Sequence, residues 1–204
     1  MAAFLVVITV HEYSHGRVAY MLGDPTAKQQ GRLSLNPLKH LDPLGTLMLI
    51  ITAFYGRGIG WARPVPINPY HFKNPRRDMV LTSLAGPASN FLMAFVFAKL
   101  FFFSMPDLLR LFIMVVIYLN IAIGIFNLLP IPPLDGSKII PALLPDSMQR
   151  SWFRFEQYGM AILLVLVFLL PGLLGTIIFT PAGFVSQLAY WPLSVPTFMG
   201  TVNS

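Results

Sequence analysis

Long uncharged runs dominate the hydrophobic pattern of this chain. Residues 111–131 and 158–179 contain no charged residue, and residues 79–103 contain only Lys99, near one end of the run. A helix that crosses a bilayer needs about 20 apolar residues, and a lysine near its end can extend its ammonium group to the interface. Each of these three runs therefore predicts a transmembrane helix.

Residues 2–22 form a fourth apolar run with an unusual second half. That half carries four ionisable residues: His11, Glu12, His15 and Arg17. A soluble amphipathic helix would show a similar pattern. Ionisable groups inside a bilayer are costly, however, and where they occur they usually mark a functional site. We expect residues 2–22 to be a span that carries chemistry.

Residues 43–56 are apolar but too short to cross a bilayer comfortably. The region after them is rich in Gly and Pro, which favours extended structure. We therefore expect residues 43–70 to form a re-entrant or hairpin region. The predicted fold is an all-α polytopic membrane protein of about four transmembrane helices, forming a single membrane-embedded domain over residues 1–204.

The basic residues predict the orientation of these spans. If residues 43–56 do not cross, eleven lysines and arginines lie on one face and only Arg110 lies in the opposite loop, 104–110. Basic loops face the cytoplasm, so both termini would lie on the far side. If residues 43–56 did cross, this asymmetry would largely vanish. Residues 181–199 are apolar but broken by three prolines, and we expect them to lie against the membrane surface.

Composition supports a membrane protein. Of the 204 residues, 55% are hydrophobic and 11% are charged, whereas about a quarter of residues in soluble domains are charged. The net charge of +6 first suggests a nucleic-acid partner, but cytoplasmic basic loops explain it, and we expect none. The chain has no cysteine, which excludes disulfides and thiolate metal ligands.

The ionisable residues of the first span form a metal-binding pattern. Residues 11–15 read His-Glu-Tyr-Ser-His, which matches H-E-x-x-H. Helical residues four apart face the same way, so both imidazoles can bind one zinc ion while Glu12 lies beside it. The motif specifies only three positions and also occurs in unrelated proteins. Its location in an apolar span argues against a polar patch on a surface helix.

A catalytic zinc usually has three protein ligands and one open position, so a third ligand must come from elsewhere. Asp135 follows a Pro-rich break after the span 111–131, where an Asp-Gly pair would otherwise be read as a simple turn. The predicted topology brings it to the same side and depth as His15. Other candidates lie in loops, where solvated, turn or capping roles are common: His40, His71, Asp24, Asp42, Asp78 and Asp146.

Three ordered motifs together resemble the site-2 protease family of intramembrane zinc metalloproteases. They are HEYSH at 11–15, GPASN at 86–90 and NLLPIPPLDG at 127–136. Flanking stretches such as GRLSLNP at 31–37 and WARPVPINP at 61–69 are similar to compact prokaryotic members. The resemblance covers about residues 5–160 and is far more specific than any one motif.

The resemblance implies one zinc ion per chain, held by His11, His15 and Asp135, with Glu12 as the general base. It also implies that Asn127 contacts the substrate or the oxyanion and that Asn90 has a similar polar role. An interhelical hydrogen bond is the alternative for both asparagines. Gly86 and Pro87 are expected to allow close packing or a kink.

The expected activity is peptide-bond hydrolysis in transmembrane protein substrates, near the cytoplasmic side of a prokaryotic inner membrane. The lipid bilayer would be the other partner, and the oligomeric state is not predicted. A membrane metal transporter and a non-catalytic scaffold are the alternatives. A transporter has no need of a base beside its first ligand, and a scaffold would usually have lost a ligand.

Overall fold

The computed structural model describes residues 2–55 and 60–178. Within them the chain is helical apart from its connections, and one isolated antiparallel bridge joins Leu41 to Ala62. In chain order the helices are α1 Ala2–Met21, α2 Thr26–Gln29, α3 Pro43–Tyr55, α4 Pro75–Lys99, α5 Asp107–Asn127, α6 Asp135–Leu143, α7 Asp146–Glu156, α8 Gly159–Phe168 and α9 Pro171–Ile178. Short 3₁₀ turns occur at Pro37–Lys39, Pro69–His71 and Leu100–Phe102.

Two of the described helices, α4 and α5, are long and apolar enough to cross a membrane. The most apolar 18 residues of α4 and of α5 have mean hydropathies of 1.5 and 2.4. Large apolar side chains on their outer faces are exposed, including Leu92, Phe95, Leu108 and Leu111. Lipid can cover such a surface, so the all-helical membrane class predicted from the sequence agrees with the structure.

The predicted span 158–179 is not one straight helix. α8 and α9 are long and apolar enough to cross a membrane only when taken together, and they are bent by 96° at their junction. Pro171 begins α9 and lacks the N–H that would continue the hydrogen-bond ladder of α8. The described residues thus contain two spans, or up to three if the bent pair counts as one. The prediction of four is not confirmed.

α1 is not among these apolar spans, and its second half carries the ionisable residues. It is nonetheless a continuous 20-residue helix, packed inside the bundle. Ala3 and Val7 of α1 pack with Val116 of α5. A second cluster joins α4 to α5 through Ala94, Ala98, Ile113, Ile117 and Ile121. Small residues allow helices to approach closely in membranes, and Gly86 of α4 lies against His11 and His15 in the polar half of α1.

The region predicted as re-entrant divides into two parts. α3 is a short apolar helix over most of 43–56, and residues 60–68 have no regular helix or strand. Residues 56–59 and the predicted surface segment 181–199 lie outside the described residues, as does the last residue of the predicted span 158–179.

Candidate metal centre

α1 presents two imidazoles on one face. His11 and His15 are four residues apart, and their ring centroids lie 4.7 Å apart in an edge-on arrangement. Their Nε2 atoms are separated by 3.0 Å. Both side chains are buried, so the pair faces the interior of the bundle.

Asp135 joins this pair from the start of α6. Its Oδ2 atom lies 3.1 Å from His11 Nε2 and 3.0 Å from His15 Nε2. The chain reaches this point through a cis peptide bond between Pro132 and Pro133. Among the described residues, these three form the group of His, Asp and Glu side chains close enough to hold a metal ion.

The Asp135-Gly136 pair begins a helix and does not form the simple turn that was the alternative reading of it. The left-handed glycines of the described chain are Gly23 and Gly31, and Gly136 lies inside α6. A Cβ atom at Gly136 would collide with the Leu128 carbonyl group. The glycine therefore allows the start of α6 to pack against the end of α5, which places Asp135.

The hydrogen bond of His15 decides which of its nitrogens can bind a metal. His15 Nδ1 lies 2.7 Å from the Thr82 carbonyl oxygen, which can only accept. Nδ1 must therefore carry the proton, so that Nε2 of the neutral ring presents a lone pair. That lone pair points toward a carboxylate oxygen, an arrangement that a divalent cation between the atoms satisfies. The donor set of two imidazoles and one carboxylate fits zinc.

Two neighbours shape the centre without belonging to the ligand set. Lys138 Nζ donates to the other carboxylate oxygen of Asp135, Oδ1, at 3.0 Å. This leaves Oδ2 for the two histidines. Across the site, Gly86 of α4 lies against the imidazoles, and a Cβ there would be 2.6 Å from His11 Cε1 and closer still to His15 Nε2. Gly86 thus keeps space at the ligand atoms.

Glu12 lies next to the ligand pair but bonds elsewhere. Its Oε2 atom accepts a hydrogen bond from the backbone N–H of Val65 at 2.8 Å. Val65 belongs to segment 61–68, which runs past α1. The side chain of Glu12 is only partly buried, so it lies between the buried centre and this segment.

Neither asparagine is hydrogen-bonded to a candidate ligand among the described residues. Asn127 ends α5, and its Nδ2 donates to the Ile123 carbonyl at 3.0 Å. Asn90 is fully buried, and its amide atoms have no hydrogen-bond partner among the described residues. Their substrate-binding roles stay predictions.

The loop histidines and aspartates do not join the centre. His40 Nε2 donates to the Ser34 carbonyl, Asp42 accepts from the Gly45 N–H, Asp78 accepts from the Asn74 N–H, and Asp146 pairs with Arg76. The expectation that all of them lie in loops is wrong for two, since Asp78 lies in the first turn of α4 and Asp146 begins α7.

Asp24 forms a separate buried cluster at the end of α1. Its carboxylate accepts hydrogen bonds from Thr26, from the Asn68 N–H and from His71 Nδ1. Burial favours the neutral acid, but these hydrogen bonds outweigh it and hold the pKa of Asp24 below its usual value. The cluster fastens α1 to the far end of segment 61–68.

Comparison with known proteins decides the family. Residues 105–170 match the model of peptidase family M50. A Bacillus subtilis protein named "Putative zinc metalloprotease YwhC" is 44% identical over 172 residues, which cover 79% of this chain and 76% of that protein. The chain belongs to the site-2 protease family, M50.

Two further relatives are less similar to this chain than YwhC. "Putative zinc metalloprotease Rip2" of Mycobacterium tuberculosis H37Rv is 33% identical over 181 residues, covering 86% of this chain and 68% of that protein. Rip2 of Mycolicibacterium smegmatis is 31% identical, and the chain covers 65% of its length. No solved structure matches the chain significantly. Membership of M50 places the chain in a metalloprotease family of the membrane.

Proposed function

We propose that this chain is an intramembrane zinc endopeptidase that cleaves transmembrane protein substrates near the cytoplasmic side of a prokaryotic inner membrane. The observation that carries the proposal is the convergence of His11, His15 and Asp135 within 3.1 Å of one another, with Glu12 beside them. Two relatives that this chain largely covers are named as zinc metalloproteases, which supports zinc as the metal.

In this proposal, His11 Nε2, His15 Nε2 and Asp135 Oδ2 hold the zinc ion. Bound there, zinc supplies Lewis acidity, which lowers the pKa of water and polarises a carbonyl group. Glu12 takes the proton of the attacking water and delivers it to the leaving amine. The Thr82 carbonyl and Lys138 hold the imidazole of His15 and the carboxylate of Asp135 in place.

The asparagines have secondary roles in the proposal. Asn127 ends α5 eight positions before Asp135, where its amide can donate to a substrate carbonyl or to the developing oxyanion. To do so it exchanges its present bond to the Ile123 carbonyl. Asn90 supplies a polar contact in the core beyond Gly86, and its unpartnered amide supports that role.

The cytoplasmic location follows from the charge distribution. Eleven basic residues fall in regions 23–78 and 132–157, which the predicted topology places on one face. His15 lies in the second half of α1 and Asp135 follows α5, so both lie toward that face. Water must reach the site from there, because lipid cannot solvate the peptide bond that is cleaved.

The test is cleavage of a model single-span substrate by purified protein, with bound zinc measured on the same samples. Wild type is expected to cleave, and Glu12→Gln is expected to keep its zinc and lose about 10²- to 10⁴-fold in kcat, since it cannot accept the proton. Glu156→Gln makes the same chemical change at a residue that bonds Trp152, and it should keep full activity.

Two outcomes would contradict the proposal. Cleavage at the wild-type rate by Glu12→Gln would remove Glu12 as the base. Zinc bound in all samples, with no cleavage of several substrates, would favour a transporter or a scaffold. Zinc uptake into liposomes that contain the protein would then separate these two.

A further inference from the structure

Segment 61–68 is held along its length by hydrogen bonds to groups distant in the sequence, one backbone carbonyl and two carboxylates. Arg63 N–H donates to the His40 carbonyl at 2.9 Å near its start, and Asn68 N–H donates to Asp24 at 2.7 Å at its end. Between these points Val65 N–H donates to Glu12. Glu12 is thus hydrogen-bonded to a backbone that is itself held at both ends.

Val65 is the one possible amide donor between two prolines, Pro64 and Pro66, because proline has no N–H. Its side chain is 6% exposed. It packs over Gly16 of α1, where an added Cβ would lie 3.0 Å from Val65 Cγ1. The Val65 side chain thus packs the segment against α1.

Arg32 contacts the other side of that peptide group. Its Nη2 donates to the Arg63 carbonyl at 2.6 Å and to the Pro64 carbonyl at 3.3 Å. The Pro64 C=O and the Val65 N–H belong to one planar peptide unit, and in a trans unit they point in opposite directions. One rigid plane therefore has Arg32 on one edge and Glu12 on the other.

We propose that Arg32 is a positioning residue for Glu12, acting through the peptide plane between Pro64 and Val65. Arg32 fixes the tilt of the plane, and the Val65 N–H then fixes the direction of the Glu12 carboxylate. Arg32 is 8% exposed, and its Nη2 donates to these carbonyls, whereas its buried Nε has no hydrogen-bond partner among the described residues. The hydrogen bond from Arg32 to the Pro64 carbonyl also polarises the amide and strengthens its N–H as a donor.

This inference rests on the proposed function, since it assigns Arg32 to the group proposed as the base. A base must lie within hydrogen-bond reach of the proton it takes, and a misplacement of about 1 Å can cost about 100-fold in rate. The effect should therefore appear in kcat, with little change in zinc content or KM.

The experiment compares wild type, Arg32→Gln, Arg32→Lys and the control Arg154→Gln, which alters an exposed arginine on α7. We expect Arg32→Gln to lower kcat by about 10- to 100-fold with zinc content and KM within about twofold. Arg32→Lys should fall in between, because one ammonium lacks the planar fork of a guanidinium. Arg154→Gln should match wild type.

A second readout does not depend on activity. Hydrogen–deuterium exchange of the Val65 amide should be slow in wild type and in Glu12→Gln, whose amide oxygen still accepts. Exchange should be at least about tenfold faster in Arg32→Gln, which lacks the contact that holds the peptide plane. It should be similarly fast in Glu12→Ala, which lacks the acceptor of the Val65 N–H.

Three results would overturn the inference. One is wild-type kcat in Arg32→Gln, and another is unchanged exchange of the Val65 amide in that variant. The third is loss of zinc or of folded protein in both Arg32→Gln and Arg32→Lys, which would assign Arg32 a structural role. A wild type that binds zinc but cleaves nothing would instead overturn the proposed function, and this inference with it.

Discussion

Two regions of the molecule supply the candidate metal ligands, and they do so differently. α1 supplies His11 and His15 from one unbroken helix, in which the four-residue spacing aligns them. Asp135 comes from the start of α6, where the position depends on packing against the end of α5. The first arrangement is local to the sequence, and the second exists only in the folded bundle.

Of the substitutions considered, removal of Asp135 should have the largest effect on zinc binding and cleavage. We expect Asp135→Ala to lose tight zinc binding and all measurable cleavage, because two imidazoles alone leave the ion short of a ligand and of a compensating charge. Zinc content after gel filtration measures this loss. His15→Ala should be equally damaged, and full zinc occupancy in either variant would remove that residue from the ligand set.

A substitution at Gly86 tests the ligand pair on α1 without replacing either histidine. Gly86→Ala would place a methyl group against His11 and His15, and overpacking of this kind costs about 1–3 kcal/mol. We expect zinc affinity, measured by competition with a chelator, to fall by about 10- to 100-fold. Gly172→Ala is the control, since a Cβ there meets no atom within 4 Å. Equal affinity in the two variants would show that α4 gives way.

Lys138 tests how the aspartate is oriented. Lys138→Met removes the donor to Asp135 Oδ1 and lets the carboxylate rotate, so we expect about a tenfold loss of zinc affinity. The loss should be smaller than for Gly86→Ala, because 40% of the Lys138 side chain is exposed and water can replace it. Lys73→Met, at an exposed position, serves as the control. No change in Lys138→Met would show that α6 alone orients the aspartate.

Asp24 gives the smallest predicted effect, at the end of the helical half. Its pKa is lower in the folded protein than in the unfolded chain, so its stabilising contribution is complete above the unfolded value, about 3.9. The contribution is lost as the pH falls through the lower, folded pKa. We expect Asp24→Asn to lower Tm at pH 7 and to narrow the gap to wild type as the pH falls below 4. A gap independent of pH would contradict this.

The sequence predicts the helices of the bundle better than their ends. Residues 79–103 mark α4, but the helix begins at Pro75 and includes Arg76, Arg77 and Asp78. Hydropathy detects the part of a helix that suits lipid, whereas the helix itself continues into water. The bend before Pro171 was missed because the run on both sides of it is equally apolar.

The candidate metal centre also has a part that the sequence predicts and a part that it does not. The helical period was sufficient to pair His11 with His15, and the topology argument expected Asp135 at similar depth. The contacts of Arg32, Lys138 and Thr82 with the site were not foreseen. The i, i+3 spacing of Asp135 and Lys138 at a helix start was a usable signal for one of them. The other two act through backbone carbonyls, which no residue identity encodes.

The bond between His15 and the Thr82 carbonyl bears on how the chain tolerates mutation. Every residue has a main-chain carbonyl, so no exchange of the side chain at position 82 removes this acceptor. A protein whose metal-binding histidine relies on a carboxylate can lose that support by a single base change in its gene. Here a substitution at position 82 leaves the carbonyl acceptor of His15 in place. Residue 82 can therefore vary as long as its side chain is small enough for this fully buried position in α4.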